Sequence, residues 1–417
     1  MQKATSSWVT TDLCPSWDRL SSRPSWEQIA PDVLMLAGTA NTYVLRTGNG
    51  LILVDPGHEK HQAEYLKVIR QWSPDPVILV AYTHGHSDHV SNFKVFLDAG
   101  ESPEVVAQEN CLARFERYEE MHGFNEHINR KQFAAPELSF PAGFLRPTKT
   151  FREFLHHDIG GERVEFRAAQ GETDDHALIW FPGRGMLFVG DLATWKIPNS
   201  GNPLKVQRYP VAWLRALEQM LSLDAEWLCP GHDLVLHGRE PIRTMLQAHV
   251  AYLGSLIEQV RARMNRGESC DHILHCVKPD PALACLPYLR SVYNHSQFIV
   301  GDLLRNWGGW WDGVGSHLLP APDGDQAREI AQLAGGSDHL VRRARELAAQ
   351  GRYDLACHVI DWAVGADPKS RIAQEGKRDI YRLRTERETA LMARGFFLTE
   401  VLDAEQALVE IRGEDES

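Results

Sequence analysis

The first part of the chain alternates short apolar runs with amphipathic segments. Up to Leu236 the apolar runs are broken by Gly, Pro and Asp, and segments 59–72 and 211–223 between them have one apolar face. Residues 76–82 are apolar, β-prone and without charge, as expected of a buried strand. This alternation of strands and helices predicts an α/β sandwich.

The pattern changes near residue 240. From Pro241 onward apolar side chains recur every three or four residues, which predicts a long helix leaving the first domain. The residues on that face are Ile242, Met245, Leu246, His249, Leu253, Leu256, Ile257 and Val260. We therefore expect one domain over 1–240 and an all-α domain over 241–417.

Later residues of the second domain predict further helices. Segment 334–368 starts at a glycine pair, ends in Asp367 and Pro368, and carries small residues where two helices would cross. It resembles one tetratricopeptide-type hairpin, which we expect to pack on neighbouring helices because one copy is too few for a solenoid. Segment 370–408 adds one or two charged helices.

The most informative motif follows the uncharged run 76–82. Residues 83–89 read THGHSDH, so that His84, His86, Asp88 and His89 lie close together where a strand should end. Two imidazoles one residue apart point the same way from an extended backbone and can bind one cation. Asp88 and His89, displaced by the turn, are left for a second. Histidine nitrogen with carboxylate oxygen suits Zn²⁺ better than Ca²⁺ or Mg²⁺.

Composition argues against several classes of function and location. The chain has 44 basic and 56 acidic residues and a net charge of −12, so it offers no general basic surface for nucleic acid. Seven cysteines without a Cys-x-x-Cys pair favour reduced thiols in a cytoplasmic protein, and we expect Cys229 to be a buried strand residue, not a ligand. We expect neither an export signal nor a membrane span.

The HxHxDH string, with the upstream strand and turn 51–57, resembles the signature of the metallo-β-lactamase superfamily. That resemblance implies an αββα sandwich and further ligands at later strand ends. Glu172 stands where most relatives carry a histidine and alkylsulfatases carry Glu, Asp191 stands at the position that bridges two metals, and His232 follows a Pro-Gly turn. His176 is a rival ligand, but we favour it as a hydrogen-bond partner of a ligand.

The implied metal centre is binuclear. His84, His86 and Glu172 would bind one Zn²⁺, Asp88, His89 and His232 the other, and Asp191 would lie between them. Three protein ligands plus a bridge leave room for water, which indicates catalysis. A hydroxide formed near neutral pH would be the nucleophile or its source, with Asp88 and Asp191 as the catalytic carboxylates.

Residues 288–322 resemble the dimerisation domain of alkylsulfatases. The stretch 297–313, with Trp307, Trp310 and Trp311 among glycines, is close to a pattern of that family. Aromatic side chains of this kind suit an interface, so we expect a homodimer; an ordinary intrachain core is the alternative. The sequence ends at Ser417, and we expect no sterol-carrier-like domain of the kind that follows in those relatives.

The loop after Asp191 carries the candidate substrate residues. Alkylsulfatases hold sulfate with an Asn eight residues beyond the metal-binding acid, which corresponds to Asn199. Their next Arg corresponds to Leu204, so Lys205 or Arg208 must serve. We favour Arg208 because its planar fork fits two oxyanion oxygens, although it can equally form a structural salt bridge.

The resemblance implies hydrolysis of a sulfate ester of a small or medium alcohol. Two departures weaken it, because that branch commonly has Glu at the bridge and no His at position 176. A carboxylic ester, thioester or lactone hydrolase is the alternative. A redox-iron protein or a non-catalytic dimeric scaffold is the third, although flavodiiron relatives need Glu in the first motif and a flavin domain.

Overall fold

Two β-sheets lie face to face in the first part of the chain. The computed structural model describes residues 1–16 and 24–415. The eight-stranded sheet has the order β1-β3-β4-β5-β6-β7-β8-β9 and the seven-stranded sheet the order β10-β11-β12-β13-β14-β15-β2. The strands are β1 (Gln2–Lys3), β2 (Val9–Thr10), β3 (Ser25–Ala30), β4 (Val33–Ala37), β5 (Asn41–Arg46), β6 (Leu51–Val54), β7 (Val77–Ala81), β8 (Glu104–Gln108), β9 (Lys149–Phe151), β10 (Phe154–Ile159), β11 (Glu162–Ala168), β12 (Ala177–Phe181), β13 (Met186–Gly190), β14 (Trp227–Pro230) and β15 (Val235–His237).

Helices cover the outer faces of the sandwich. Those before residue 240 are α1 (Gln62–Trp72), α2 (Ser87–Val90), α3 (Lys94–Asp98), α4 (Asn110–Glu120), α5 (His122–Phe133) and α6 (Pro210–Ser222), with 3₁₀ turns at Glu59–His61 and Pro182–Arg184. Segments 59–72 and 211–223 therefore form helices as their pattern predicted. The predicted α/β sandwich is confirmed.

The first sheet is buried on both faces. In β4, Leu34 and Leu36 join the cluster under α1 and α4, whereas Val33 and Met35 join the cluster between the two sheets. Successive side chains of a strand point to opposite faces, so a strand covered on both sides reads as a continuous apolar run. This arrangement leaves the strand ends as the places where polar groups can be exposed to a cavity.

The second part of the chain is helical. Its helices are α7 (Arg239–Asn265), α8 (Cys270–Cys276), α9 (Pro281–Ala284), α10 (Ser296–Gly308), α11 (Gly315–Leu318), α12 (Asp323–Leu333), α13 (Ser337–Ala349), α14 (Tyr353–Ala366), α15 (Arg371–Arg387) and α16 (Leu391–Asp415), with a 3₁₀ turn at Pro287–Leu289. The predicted hairpin corresponds to α13 and α14, which share a core with α15 and α16. No helix within residues 1–16 and 24–415 is long and apolar enough to cross a membrane.

Helix α7 belongs to the core of the sandwich. Its apolar face, including Ile242 and Leu253, lies in the same cluster as Phe188 of β13 and Leu228 of β14. An apolar stripe needs a partner surface, and here α6 supplies it together with β14 and β15 of the second sheet. The helix thus packs on the first domain where we expected it to leave. The division into 1–240 and 241–417 stays a prediction, and residues 17–23 and 416–417 of it lie outside the described residues.

Candidate metal centre

The loop after β7 presents the motif to the edge of the sheet. His86 has an extended backbone and precedes the one-turn helix α2, which carries Asp88 and His89. His84 and His89 are almost fully buried, whereas Asp88 keeps 28% of its side chain exposed. The turn therefore separates the motif into two pairs, as the spacing predicted.

The other predicted ligands reach the same edge from the second sheet. Asp191 directly follows β13 and His232 follows β14; these two strands are parallel, so their carboxyl ends meet. Glu172 lies in the loop between β11 and β12. Gly231 permits the close approach, since a Cβ there would lie 2.6 Å from a carbon of His89 and 2.7 Å from Asp191 Oδ1.

These residues form two neighbouring groups. Ligand atoms within 4.8 Å of one another come from His84, His86, Glu172 and Asp191 in one group and from Asp88, His89 and His232 in the other. Asp191 Oδ1 also lies 3.3 Å from His89 Nε2 and 3.4 Å from His232 Nε2. The structure therefore brings all seven predicted ligands together, with Asp191 between the groups.

Unpartnered buried atoms test whether a metal fits. His89 Nε2, Asp191 Oδ1 and Glu172 Oε2 are buried and lack a hydrogen-bond partner. Such atoms are costly to bury unless something satisfies them, and all three are of the kind that binds a divalent cation. The residues present thus fit a metal site.

Burial and neighbouring charges shift the pKa values of the site residues in opposite directions. Burial acts to lower the pKa of His89, but the Asp191 and Asp88 carboxylates outweigh it and raise that pKa well above its ordinary value. Burial acts to raise the pKa of Asp191, but His232 and His89 outweigh it and hold that pKa far below its usual range. Burial, followed by neighbouring histidines, lowers the pKa of His84. Carboxylates and imidazoles of the site thus favour each other's charged forms, and binding of a metal would release the proton of His89, because a ligating histidine is neutral.

His176 stands behind the first group. Its ring stacks on that of His84 at 4.4 Å between centroids, and its Nε2 accepts from the backbone N–H of Asp191 at 3.3 Å. Burial lowers its pKa to about 4, so the ring is neutral at physiological pH. This placement fits the predicted role of a residue that orients a ligand.

Asp55 is a functional residue that the sequence argument missed. Its Oδ2 lies 2.9 Å from His89 Nδ1, and it also accepts from the backbone and hydroxyl of Thr83 at 2.8 and 2.6 Å. A carboxylate on the second ring nitrogen fixes the tautomer of a metal-binding histidine. Its position at the end of β6, parallel to β7, was the signal that could have identified it.

Arg114 and Asp175 are a second omission. Arg114 on α4 pairs with Asp175 at 2.6 Å and with Asp174, and Asp175 accepts from the backbone N–H of Gly85 at 2.7 Å. Asp175 thereby holds the peptide between His84 and His86. The sequence separation of Arg114 from Asp175 gave no signal for this contact.

The candidate substrate residues surround Glu172. Arg208 is 3% exposed and pairs with Glu172 Oε1, which also accepts from Asn199 Nδ2 at 2.8 Å. Lys205 Nζ donates to Asn129 at 2.9 Å. Burial, with Asp191, raises the pKa of Glu172 to about 7 against the opposing effect of Arg208. Cys229 is buried in β14, outside both groups, as expected.

A cavity of about 490 Å³ opens over these residues. Members of both ligand groups and the three candidate substrate residues line it. Tyr118, Ile128, Phe133 and Phe140 also line it and form an apolar wall, supplied by α4, α5 and the chain after them. The cavity therefore offers polar, charged and apolar surface to one ligand of moderate size.

Family models match both parts of the chain. Residues 36–232 match the metallo-beta-lactamase superfamily, and residues 269–407 match the alkyl sulfatase dimerisation domain. A linear primary-alkylsulfatase from Pseudomonas sp. is 25% identical over 365 residues, which cover 81% of this chain and 69% of the relative. An (R)-specific secondary-alkylsulfatase from Pseudomonas sp. is 22% identical over 410 residues, which cover 90% of this chain and 62% of the relative.

A solved structure has the same fold. A stereoselective inverting sec-alkylsulfatase from Pseudomonas sp. aligns with a TM-score of 0.84 at 20% identity, over 92% of this chain and 66% of that chain. This chain thus spans about two thirds of the length of the relatives that it matches. It carries a metallo-beta-lactamase domain, of a superfamily of hydrolases, followed by an alkylsulfatase dimerisation domain.

Proposed function

We propose that the protein is a binuclear zinc hydrolase that cleaves a sulfate ester of a small or medium alcohol. The observation that carries the proposal is the cavity, where two ligand groups joined by Asp191 face cationic side chains and an apolar wall. The alkylsulfatase names of the relatives support the same substrate class.

The cavity suits an anionic head and an apolar tail. A sulfate monoester carries one negative charge, and a chain of net charge −12 needs local cations to attract it. Asn199, Lys205 and Arg208 line the cavity near Glu172, at the part that would receive that head. Ile128 and Phe133 would contact the alcohol.

The metal ligands are proposed residue by residue. His84, His86 and Glu172 would hold one Zn²⁺, Asp88, His89 and His232 the second, with Asp191 shared and His176 orienting. Bound ions of this kind lower the pKa of water to about 7 and so supply hydroxide at neutral pH. Asp88, which is partly exposed to the cavity, would orient the attacking water, with Asp191 as the second catalytic carboxylate.

We also propose a homodimer. The segment 305–323 is exposed except for Asp312, and it carries Trp310 at 74% and Leu319 at 92% exposure. Large apolar side chains grouped in this way are uncommon on a monomer surface. The match of residues 269–407 to a dimerisation domain supports this assembly.

A mixed substrate panel tests the proposed reaction. We expect the zinc-loaded protein to release inorganic sulfate from medium-chain alkyl sulfates, measured by ion chromatography, faster than it releases acid or thiol from esters, thioesters or lactones of the same chain length. Preferred release of acid or thiol would replace the proposal with the carboxylic ester, thioester or lactone hydrolase. Bound iron without hydrolysis would favour a redox protein.

A further inference from the structure

Lys205 differs from the other basic residues of the cavity in its partners. Arg208 pairs with Glu172, Arg114 with Asp174 and Asp175, and Lys196 with Asp233. Lys205 Nζ donates to the amide oxygen of Asn129 at 2.9 Å, and within residues 1–16 and 24–415 no carboxylate lies at ion-pair distance from it. An ammonium group has three donors, so two remain for another acceptor.

Two other basic side chains that line the cavity are not fixed in this way. Lys60 is exposed on the 3₁₀ turn before α1, and Arg117 lies 5.8 Å from the Tyr118 ring on its own helix. Both can attract an anion from a distance, since charges at a cavity mouth raise its local concentration. Neither is fixed by a hydrogen bond to another element in the described part of the chain, as Lys205 is.

Asn202 fixes the backbone that carries Lys205. It is 1% exposed, and its Oδ1 accepts from the backbone N–H groups of Leu204 and Lys205, both at 2.9 Å. A side-chain oxygen bonded two and three residues ahead imposes a turn. This turn directs Lys205 toward Asn129 on α5, with the ring of Phe133 at 5.9 Å from Nζ.

The amide of Asn202 links this turn to the second domain. Its Nδ2 donates to Gln132 Oε1 on α5 at 3.0 Å and approaches Met392 Sδ on α16 at 3.2 Å. Gln132 Nε2 in turn donates to the hydroxyl of Tyr293, which lines the cavity, at 3.3 Å. The loop of Lys205, the apolar wall and the last helix are thus joined by one buried network of polar contacts.

Arg208 interacts with a different group, the carboxylate of Glu172. Its Nη1 and Asn199 Nδ2 both bond Glu172 Oε1, while Glu172 Oε2 is buried without a partner. One oxygen of the carboxylate is held and the other is free to face an ion. Partners of a ligand carboxylate orient it and raise metal affinity about tenfold to a hundredfold.

We propose that Lys205 contacts the anionic group of the substrate, that Asn129 and Asn202 position it, and that Arg208 instead orients Glu172. The inference rests on the proposed function, because it assigns the anion contact of that reaction. Burial and then Arg208 lower the pKa of Lys205 to about 8, so the side chain is still mainly charged at pH 7 and gains from an anionic partner.

Binding of 1-hexanesulfonate to the zinc-loaded full chain tests the assignment. This probe keeps an anionic sulfur head but has no ester bond to cleave. We expect Lys205→Met to weaken its binding about tenfold to a hundredfold by calorimetry, and to raise KM for hexyl sulfate more than it lowers kcat, with metal content unchanged. Lys94→Met, a surface lysine paired with Asp98, is the matched control and should change nothing.

The positioning residues have their own readout. Asn202→Ala should weaken probe binding, and the double variant Asn202→Ala, Lys205→Met should bind no more weakly than Lys205→Met alone, because both remove one contact. If the losses of probe binding in the two single variants instead added up in the double variant, Asn202 would act only on folding. Arg208→Met should lose zinc on dialysis while Lys205→Met retains it.

The outcomes separate the two proposals. Probe binding unchanged in Lys205→Met but lost in Arg208→Met with zinc retained would overturn the assignment. If the unmodified chain cleaves only neutral esters, the proposed reaction fails. The assignment then stands when 1-hexanesulfonate inhibits that cleavage and Lys205→Met relieves the inhibition, and it falls when the inhibition is absent or unaltered.

Discussion

At the scale of single residues, the site is organised by what holds each ligand. Glu172 illustrates the point, since one of its oxygens accepts from Asn199 and Arg208 and the other is unpartnered. His89 is held in the same way by Asp55. Each of these two proposed metal ligands is therefore fixed by a hydrogen bond with a second residue.

For His249 we predict an effect of pH on the stability of the fold. It is fully buried on α7, its ring nitrogens lie 2.9 Å from the Met245 carbonyl and 3.2 Å from the Lys196 carbonyl, and burial lowers its pKa below 6.5. The unfolded chain binds a proton at higher pH than the folded one, so His249 makes the free energy of unfolding fall as pH drops below 6.5.

The measurement is urea unfolding at pH 7.5 and 5.5. We expect the wild-type protein to lose more stability between these values than His249→Gln, whose amide can still donate to one carbonyl. Identical losses in the two proteins would show that His249 titrates in the folded state as it does in the unfolded chain.

Residue positions set the limit of what the sequence could predict. His84, His86, Asp88 and His89 share one motif, and Asp191 and His232 directly follow strands, so their approach followed from local pattern and resemblance. The contacts of Arg114 with Asp175 and of Asn202 with Gln132 join distant segments whose approach depends on how the helices pack. No local pattern encodes such pairs.

At the scale of elements, the last helix supports the wall of the cavity. Helix α16 approaches α5 at Gly395, where an added Cβ would lie 1.8 Å from the carbonyl oxygen of Gln132. Thr399 adds a hydrogen bond to the Lys131 carbonyl at 2.9 Å. The helix that the sequence predicted only as a charged segment thus braces α5, which carries Asn129 and Phe133.

Gly395→Ala is expected to loosen this contact. The clash with backbone cannot be relieved by a side-chain rotation, so we predict a loss of about 1 to 3 kcal/mol in the free energy of unfolding, measured by chemical denaturation. Gly413→Ala on the same helix meets nothing within 4 Å and should stabilise the protein by up to about 1 kcal/mol. Equal effects of the two substitutions would mean that α16 does not press on α5.

At the scale of the whole molecule, the chain joins the α/β sandwich to a helical region in which segment 305–323 forms an exposed apolar arm. Within the arm, Asp312 accepts from the Val314 backbone at 3.0 Å and lies 2.6 Å from the His317 ring, so the segment has its own internal order. An ordered arm with outward tryptophans is suited to a second copy of the chain.

Sedimentation velocity at micromolar concentration checks this assembly. We expect the unmodified protein to be a dimer and the double variant Trp310→Ser, Leu319→Ser to be a monomer. Both substitutions remove apolar surface that is exposed in one chain and that the dimer would bury. Leu97→Ser removes an exposed apolar residue from α3 and should leave the dimer intact. A monomer without any substitution would contradict the proposed homodimer.

Metal content and turnover, measured on the same samples, are the direct test of the proposed binuclear zinc site. We predict about two zinc ions per chain after dialysis, loss of both metal and sulfate release in His84→Ala with the fold preserved, and loss of activity in Asp191→Ala because that carboxylate serves both groups. His237→Ala, outside both groups, is the control. One ion per chain with activity unchanged in Asp191→Ala would contradict the binuclear site.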